Sequence, residues 1–285
     1  MTLIDGKSIS AKVKEEIKSV ASNLAAKGVE PALAVILVGE DAASKTYVAS
    51  KEKACAACGI RSVAHRLSSD VSEAALLELI ENLNEDESID GILVQLPLPK
   101  HIDTNKILET ISPQKDVDGF SAINVGKLTS GLSDGFVPCT PLGVMRLLEE
   151  YGVQIAGKNA VVLGRSNIVG KPMASLLLNA DATVTIAHSK TKDLKRLCAD
   201  ADILVVAVGR AHFVGADMVK QGAVVIDVGI NRDEDGKLRG DVDFDAVAPK
   251  CSFITPVPGG VGPMTIAMLL SNTIKSAKNR LKQRA

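Results

Sequence analysis

A chain of 285 residues, 46% hydrophobic and 24% charged, has the composition of a folded protein large enough for one or two domains. Its 33 Lys and Arg against 34 Asp and Glu leave a net charge of −1, without the broad positive field of a general nucleic-acid binder. Aromatic residues at 2%, no Trp, and no apolar run near the roughly 18 residues of a membrane span argue against a base-stacking surface and a membrane protein. The five cysteines are odd in number and scattered, and Met1–Lys7 holds no apolar signal core, so a reducing, cytoplasmic location is expected. Cys55 and Cys58 form a C-x-x-C, but with no second pair or nearby His pair they read as small residues packing on a helix, and no metal is expected.

In chain order, Ile9, Val13, Ile17, Val20 and Leu24 recur at helical spacing, and Gly28 ends the segment. Ala32–Val38 is an unbroken apolar run, the pattern of a parallel strand buried on both faces. A helix over 41–58 follows, capped by Asp41, and then a strand over Ile60–Leu67. Asp70 and Glu73 have capping-box spacing ahead of an apolar helical face, and Gly91–Gln95 is a third strand stopped by Pro97 and Pro99. After a further short helix, residues 112–140 are polar and weakly periodic and read as a connector. Thr140 and Pro141 suit an N-cap and first helical position, for a helix running to Tyr151.

A second series of β-branched runs covers Ala160–Leu163, Thr183–Ala187, Ile203–Val208 and Val224–Val228, and one long helix closes the chain from Pro263. The fold class is therefore α/β, with two α/β domains, the C-terminal one of Rossmann type. The expected limits are 1–120, with the final helix at about 265–285 packing back, and 140–264.

Leu163 runs into Gly164-Arg165-Ser166-Asn167-Ile168-Val169-Gly170, a small-residue turn between strand and helix that can aim backbone N–H groups at a pyrophosphate. An NAD site usually has an acid after the next strand, to hold the ribose hydroxyls. Here His188-Ser189-Lys190-Thr191-Lys192 stands there, and with Arg165 it suits a 2′-phosphate, so NADP is the expected cofactor. Gly209 and Gly229 close two more strands and are read as letting backbone approach that cofactor. The Pro- and Gly-rich stretch Thr255–Thr265 reads as a substrate or cofactor loop.

In the first half, Ser44, Tyr47 and Lys51 share one helix face near the helix start. Gln95 ends the third strand at the same rim, and Asp118 follows in Lys115-Asp116-Val117-Asp118-Gly119. A lysine, a tyrosine, an amide and a carboxylate can thus converge.

Tyr47-Val48-Ala49-Ser50-Lys51, Gln95-Leu96-Pro97-Leu98-Pro99, Lys115–Gly119, Gly164-Arg165-Ser166 and Pro258–Thr265 together resemble the signatures of the bifunctional methylenetetrahydrofolate dehydrogenase/methenyltetrahydrofolate cyclohydrolase family. The resemblance spans the whole chain. It implies hydride transfer from 5,10-methylenetetrahydrofolate to NADP, then hydrolysis to 10-formyltetrahydrofolate, in a homodimer built through the cofactor domains with a folate cleft between domains. It makes Lys51 the base or proton shuttle with Tyr47 and Gln95 beside it, and Asp118 the grip on the pterin. Val94, Leu96, Pro258, Gly259, Gly260, Val261 and Gly262 would line the tetrahydrofolate substrate, and Gly164, Arg165, Ser166, Ser189 and Ile230 would contact NADP. The alternatives are a two-domain dehydrogenase acting on a shikimate-like acid, for which Gln95 and Asp118 are poorly suited, and a nucleotide-sensing protein without turnover.

Overall fold

The all-apolar run Ala32–Val38 forms a strand with every residue buried, because it has a parallel neighbour on each side and helices over its faces. The computed structural model describes residues 1–233 and 235–283. In order, the elements are β1 (Thr2–Leu3), α1 (Gly6–Ala25), β2 (Ala32–Val38), α2 (Ala42–Ala57), β3 (Arg61–Leu67), α3 (Glu73–Glu85), β4 (Gly91–Val94), α4 (Thr104–Thr110), α5 (Ala122–Thr129), α6 (Cys139–Glu150) and β5 (Asn159–Leu163). Then come α7 (Gly170–Asn179), β6 (Thr183–Ala187), α8 (Leu194–Ala199), β7 (Ile203–Val206), β8 (Val224–Asp227), β9 (Asn231–Arg232), β10 (Leu238–Arg239), α9 (Phe244–Val247), β11 (Phe253–Ile254) and α10 (Val261–Gln283).

The chain divides into two compact units. The first comprises Lys12–Cys139 and Ile266 onward and holds a parallel three-stranded sheet of order β3-β2-β4. Its core joins Ala34, Ile36 and Ile92 to Leu76, Ile80 and Leu83 of α3 and Ile107 of α4. The second comprises Met1–Ala11 and Thr140–Thr265 and holds a six-stranded parallel sheet of order β1-β11-β8-β7-β5-β6. Residues 1–11 lie here, not with residues 12–120 as the sequence reading expects, because Thr2 and Leu3 pair with Phe253 and Ile254. The final helix is described to Gln283; residues 284–285 of the expected span lie outside the described residues.

Three local expectations change. Ser72, not Asp70, caps α3 through Ala75 N, and Glu73 instead accepts from Asp103 N and Lys106. The expected connector contains α5, which Ser121 caps and which buries only Asn124 and Leu128. So narrow a buried face leaves almost no apolar period in the sequence. Thr140 does not cap α6, which begins at Cys139; its hydroxyl instead meets that of Thr265 at 2.9 Å.

Candidate functional site

Asp41 accepts from Ser44 N at 2.7 Å and so sets the start of α2 just past the end of β2. From that start, helical spacing places Ser44, Tyr47 and Lys51 along one face, with Ser44 and Lys51 buried and Tyr47 half-buried. Lys51 is only 6% exposed. Its Nζ donates to Gln95 Oε1 at 3.0 Å and lies 5.3 Å from the centre of the Tyr47 ring. Gln95, the first residue beyond β4, donates from Nε2 to Leu96 O at 2.7 Å, which fixes the amide with its oxygen toward the lysine. Burial holds the Lys51 ammonium below the usual lysine range, against the opposing charge of Asp118. Burial pushes Tyr47 up, and Asp118 adds to it.

The two acids of Lys115–Gly119 part company. Asp116 is buried and accepts four hydrogen bonds, from Gly119 N, Phe120 N, Ser121 N and Asn124 Nδ2, at 2.8 to 3.2 Å. It shapes the turn that carries Asp118. Among the described residues Asp118 itself accepts only from the Cys139 thiol, at 3.6 Å, and burial raises its pKa although Lys51 pulls it down. Asn272 of α10 pins this segment: its Nδ2 donates to Val117 O at 2.8 Å and Val137 O at 3.0 Å. The first unit therefore brings together the whole expected set of Tyr47, Lys51, Gln95 and Asp118. Val94 is buried and Leu96 half-buried beside Gln95. Neither Cys139 nor Asn272 stood out in the sequence, for a lone Cys and a helical Asn carry no motif.

In the second unit, β5 pairs β6 on one side and β7 on the other, so the topological switch point lies at the end of β5. Gly164 sits there with φ of 130°, and a Cβ on it would overlap the Ala207 carbonyl oxygen. A Cβ on Gly170 would overlap Gly164 O, so both glycines of the turn are sterically required. Ser166 Oγ accepts from Val169 N at 3.1 Å and Gly170 N at 3.3 Å at the start of α7, and its own O–H remains able to donate. Leu163 pairs Ala187, so Arg165 and Ser189 emerge from neighbouring strand ends, both exposed along with Lys190. This rim fits a dinucleotide bearing a 2′-phosphate: close-approach glycines, outward donors, cations and no acid at residues 188–192.

At Gly229 the structure shows a tight steric requirement. A Cβ on it would overlap the Asp241 side chain, so it makes room for a buried carboxylate. Gly209 is required by its φ of 66°. Ile230 is 54% exposed at the same rim. In the Pro258–Gly262 stretch, Gly259 O accepts from Lys7 N at 3.0 Å and Gly260 packs against Gly6, so the loop abuts the start of α1 within the second unit. Cys55 and Cys58 are free and buried, and among the described residues no group of His, Cys, Asp and Glu is placed to hold a metal ion. No described helix is long and apolar enough to cross a membrane.

The family model for the tetrahydrofolate dehydrogenase/cyclohydrolase catalytic domain matches residues 4–118, and that for the NAD(P)-binding domain of the same family matches residues 138–281. The bifunctional protein FolD of Campylobacter hominis is 72% identical over 283 residues, 99% of each chain. The crystal structure of the FolD methylenetetrahydrofolate dehydrogenase/cyclohydrolase of Campylobacter jejuni superposes with a TM-score of 0.97 at 60% identity, covering 98% of this chain and 99% of the other. That of the Trypanosoma brucei dehydrogenase-cyclohydrolase, complexed with NADP and an inhibitor, gives 0.94 at 42% identity, covering 100% and 99%.

Proposed function

Because the chain belongs to the tetrahydrofolate dehydrogenase/cyclohydrolase family, we propose that Lys51 moves the protons of its hydrolytic reaction and that Tyr47, Gln95 and Asp118 work beside it. The protein is a bifunctional enzyme of one-carbon folate metabolism. It oxidises 5,10-methylenetetrahydrofolate to 5,10-methenyltetrahydrofolate with NADP and hydrolyses that product to 10-formyltetrahydrofolate. NADP, when bound, supplies the hydride acceptor. This membership removes the ground for a shikimate-like substrate or a sensor without turnover.

The observation that carries the reading is a buried lysine held by a neutral amide. At neutral pH an ordinary lysine, with a pKa of about 10.4, is almost entirely protonated. Burial of Lys51 disfavours the ammonium, and a cationic methenyl ring brought beside it disfavours it further. Gln95 accepts one Lys51 N–H without adding charge, which leaves the lone pair of the neutral amine free to take a proton from attacking water. The returned proton then serves the ring nitrogen that leaves as the ring opens. The oxidation needs no proton transfer in its hydride step, and there Lys51 and Tyr47 act as walls that align the ring.

Asp118 keeps most of its acceptor capacity because Asp116 satisfies the local backbone donors, and it pairs with the amino and ring N–H groups of the pterin. Val94, Leu96 and Pro258–Gly262 line the substrate. Gly164, Arg165, Ser166, Ser189 and Ile230 hold NADP, with Arg165 and Ser189 on the 2′-phosphate. Residues 12–139 with the final helix serve folate, and residues 1–11 and 140–265 serve the cofactor. The exposed edge strand β6, with Ile186 40% and the adjoining Leu178 61% exposed, supports a homodimer formed through the second unit. Five free, buried thiols support a cytoplasmic location.

The test has two assays, reduced-nicotinamide absorbance with methylenetetrahydrofolate and NADP, and decay of supplied methenyltetrahydrofolate. Wild type performs both, and Lys51→Met keeps part of the first while losing the second. Equal retention of both would remove Lys51 from proton transfer.

A further inference from the structure

Two carboxylates at the carboxyl end of the six-stranded sheet are buried and belong to none of the sequence motifs, although the Asp227 backbone N–H donates to Thr255 Oγ1 at 2.8 Å. Asp227 ends β8 at 3% exposed, and Asp241 follows the β9–β10 hairpin at 0%. Asp241 is saturated. Its Oδ2 accepts from Val208 N at 2.6 Å and Gly209 N at 2.9 Å, and its Oδ1 from Arg210 N at 2.8 Å and Asn231 Nδ2 at 2.9 Å. Three successive N–H groups beyond β7 thus converge on one carboxylate from another segment. Asp227 in turn fixes Asp241: its Oδ1 accepts from Asp241 N and Gly229 N, and its Oδ2 from Val242 N, at 2.9 to 3.0 Å.

The glycines around the pair record how little slack there is. A Cβ on Gly229 would overlap Asp241, and one on Gly240 would overlap Asp227. The held segment is next to the switch point, for Ala207 O is the atom that a Cβ on Gly164 would strike. Moving residues 207–210 therefore moves the wall of the Gly164 turn, and Ile230 is flanked by Gly229, whose N–H donates to Asp227, and Asn231, whose side chain donates to Asp241.

We propose that Asp241 is a positioning residue for the dinucleotide pocket, gathering the ends of β7 and β8 into one rigid rim before the cofactor arrives. This rests on the reading of the second unit as the NADP site. A carboxylate suits the task because it offers only acceptors to four donors. An amide of the same shape turns one donor group toward those N–H groups and leaves at least one of them unpaired.

The experiment compares wild type with Asp241→Asn. NADP affinity is measured by calorimetry on the cofactor-free protein, amide exchange at Val208, Gly209 and Arg210 on the same protein, and both reactions by steady-state kinetics. The variant is expected to bind NADP roughly tenfold more weakly, the scale of one hydrogen bond to a charged group, with faster exchange at those three amides. Its KM for NADP rises while kcat at saturating NADP changes little, and hydrolysis of supplied methenyltetrahydrofolate stays within about twofold. Unchanged NADP affinity, or parallel loss of both reactions, overturns the proposal. Should Asp241→Asn not fold, Asn231→Leu removes one donor and leaves the carboxylate in place. It is expected to weaken NADP by a few-fold, and no change there overturns the proposal as well. Wild-type protein that bound no NADP would refute the cofactor reading itself, a result distinct from equal binding by wild type and variant.

Discussion

At the end of β4 a buried lysine donates to one side chain among the described residues, Gln95, and among them the nearby Asp118 accepts only the long contact from the Cys139 thiol. At the end of β8 the position is reversed: Asp227 accepts three hydrogen bonds and Asp241 four, all but one from backbone N–H groups. The same contrast recurs within one turn, between Asp116 with four donors and Asp118 two residues later. A buried charge whose capacity is filled by backbone fixes the fold. One left with spare capacity is available to a ligand.

The sharpest way to break this contrast is at Lys51. Lys51→Met, similar in length but without an amine, is expected to lower cyclohydrolase kcat by at least roughly 10²-fold, the low end for general acid–base catalysis. Dehydrogenase activity, followed by the absorbance of the methenyl product, survives in part. The wild-type hydrolytic rate should also rise with pH as Lys51 loses its proton, with a midpoint below the ordinary lysine value, and this limb should vanish in the variant. Cyclohydrolase within a few-fold of wild type would leave Tyr47 or bound water as the proton carrier.

On the saturated side the expected signature is in stability rather than rate. Burial pushes Asp227 up to about 6, against about 3.9 in an unfolded chain. The folded protein therefore binds this proton more tightly, and the resulting stability is complete below about pH 4 and lost as pH rises through about 6. Two pKa units correspond to roughly 3 kcal/mol at most. Asp227→Asn should flatten the wild-type fall in denaturation midpoint between those pH values, and an unaltered slope would show that Asp227 does not titrate there.

The paired acids of Lys115–Gly119 allow a direct test within five residues. Asp118→Ala is expected to weaken folate binding by about tenfold or more and to harm both reactions, with little change in melting temperature. Asp116→Ala strands two buried and one part-buried N–H group, at roughly 1–3 kcal/mol for each left unpaired, and should lower stability first. Calorimetry of folate binding and thermal melts separate the two. Near-normal folate affinity in Asp118→Ala would place it with Asp116 as a turn residue.

The smallest effect is on cofactor choice. Wild type is expected to prefer NADP to NAD, and Ser189→Asp to erode that preference several-fold through repulsion of the 2′-phosphate. Equal initial rates with NAD and NADP in wild type would show that residues 188–192 do not read the phosphate.

Much of this was legible in the residues because its causes are local. Apolar runs such as Ala32–Val38 and Ala160–Leu163 mark buried parallel strands, and the three- and four-residue spacing from Ser44 to Lys51 puts those side chains on one helix face. The turn Gly164–Gly170 and the missing acid after β6 name a phosphate-binding rim for the same reason. What the sequence left open depends on partners far along the chain. Nothing local distinguishes Asp116 from Asp118; Asn124 and the turn's own N–H groups choose between them once α5 has formed. Gly229 reads like any strand-ending glycine until Asp241 arrives from beyond a hairpin to occupy the space where its side chain would be. Thr2 and Leu3 carry no strand pattern and are recruited by β11 some 250 residues later. Periodicity and spacing determine which faces are apolar and which side chains share them, because those follow from backbone geometry alone. Which buried charge stays unsatisfied is decided only when the donors of distant segments have been counted against it, and that count exists only in the folded chain.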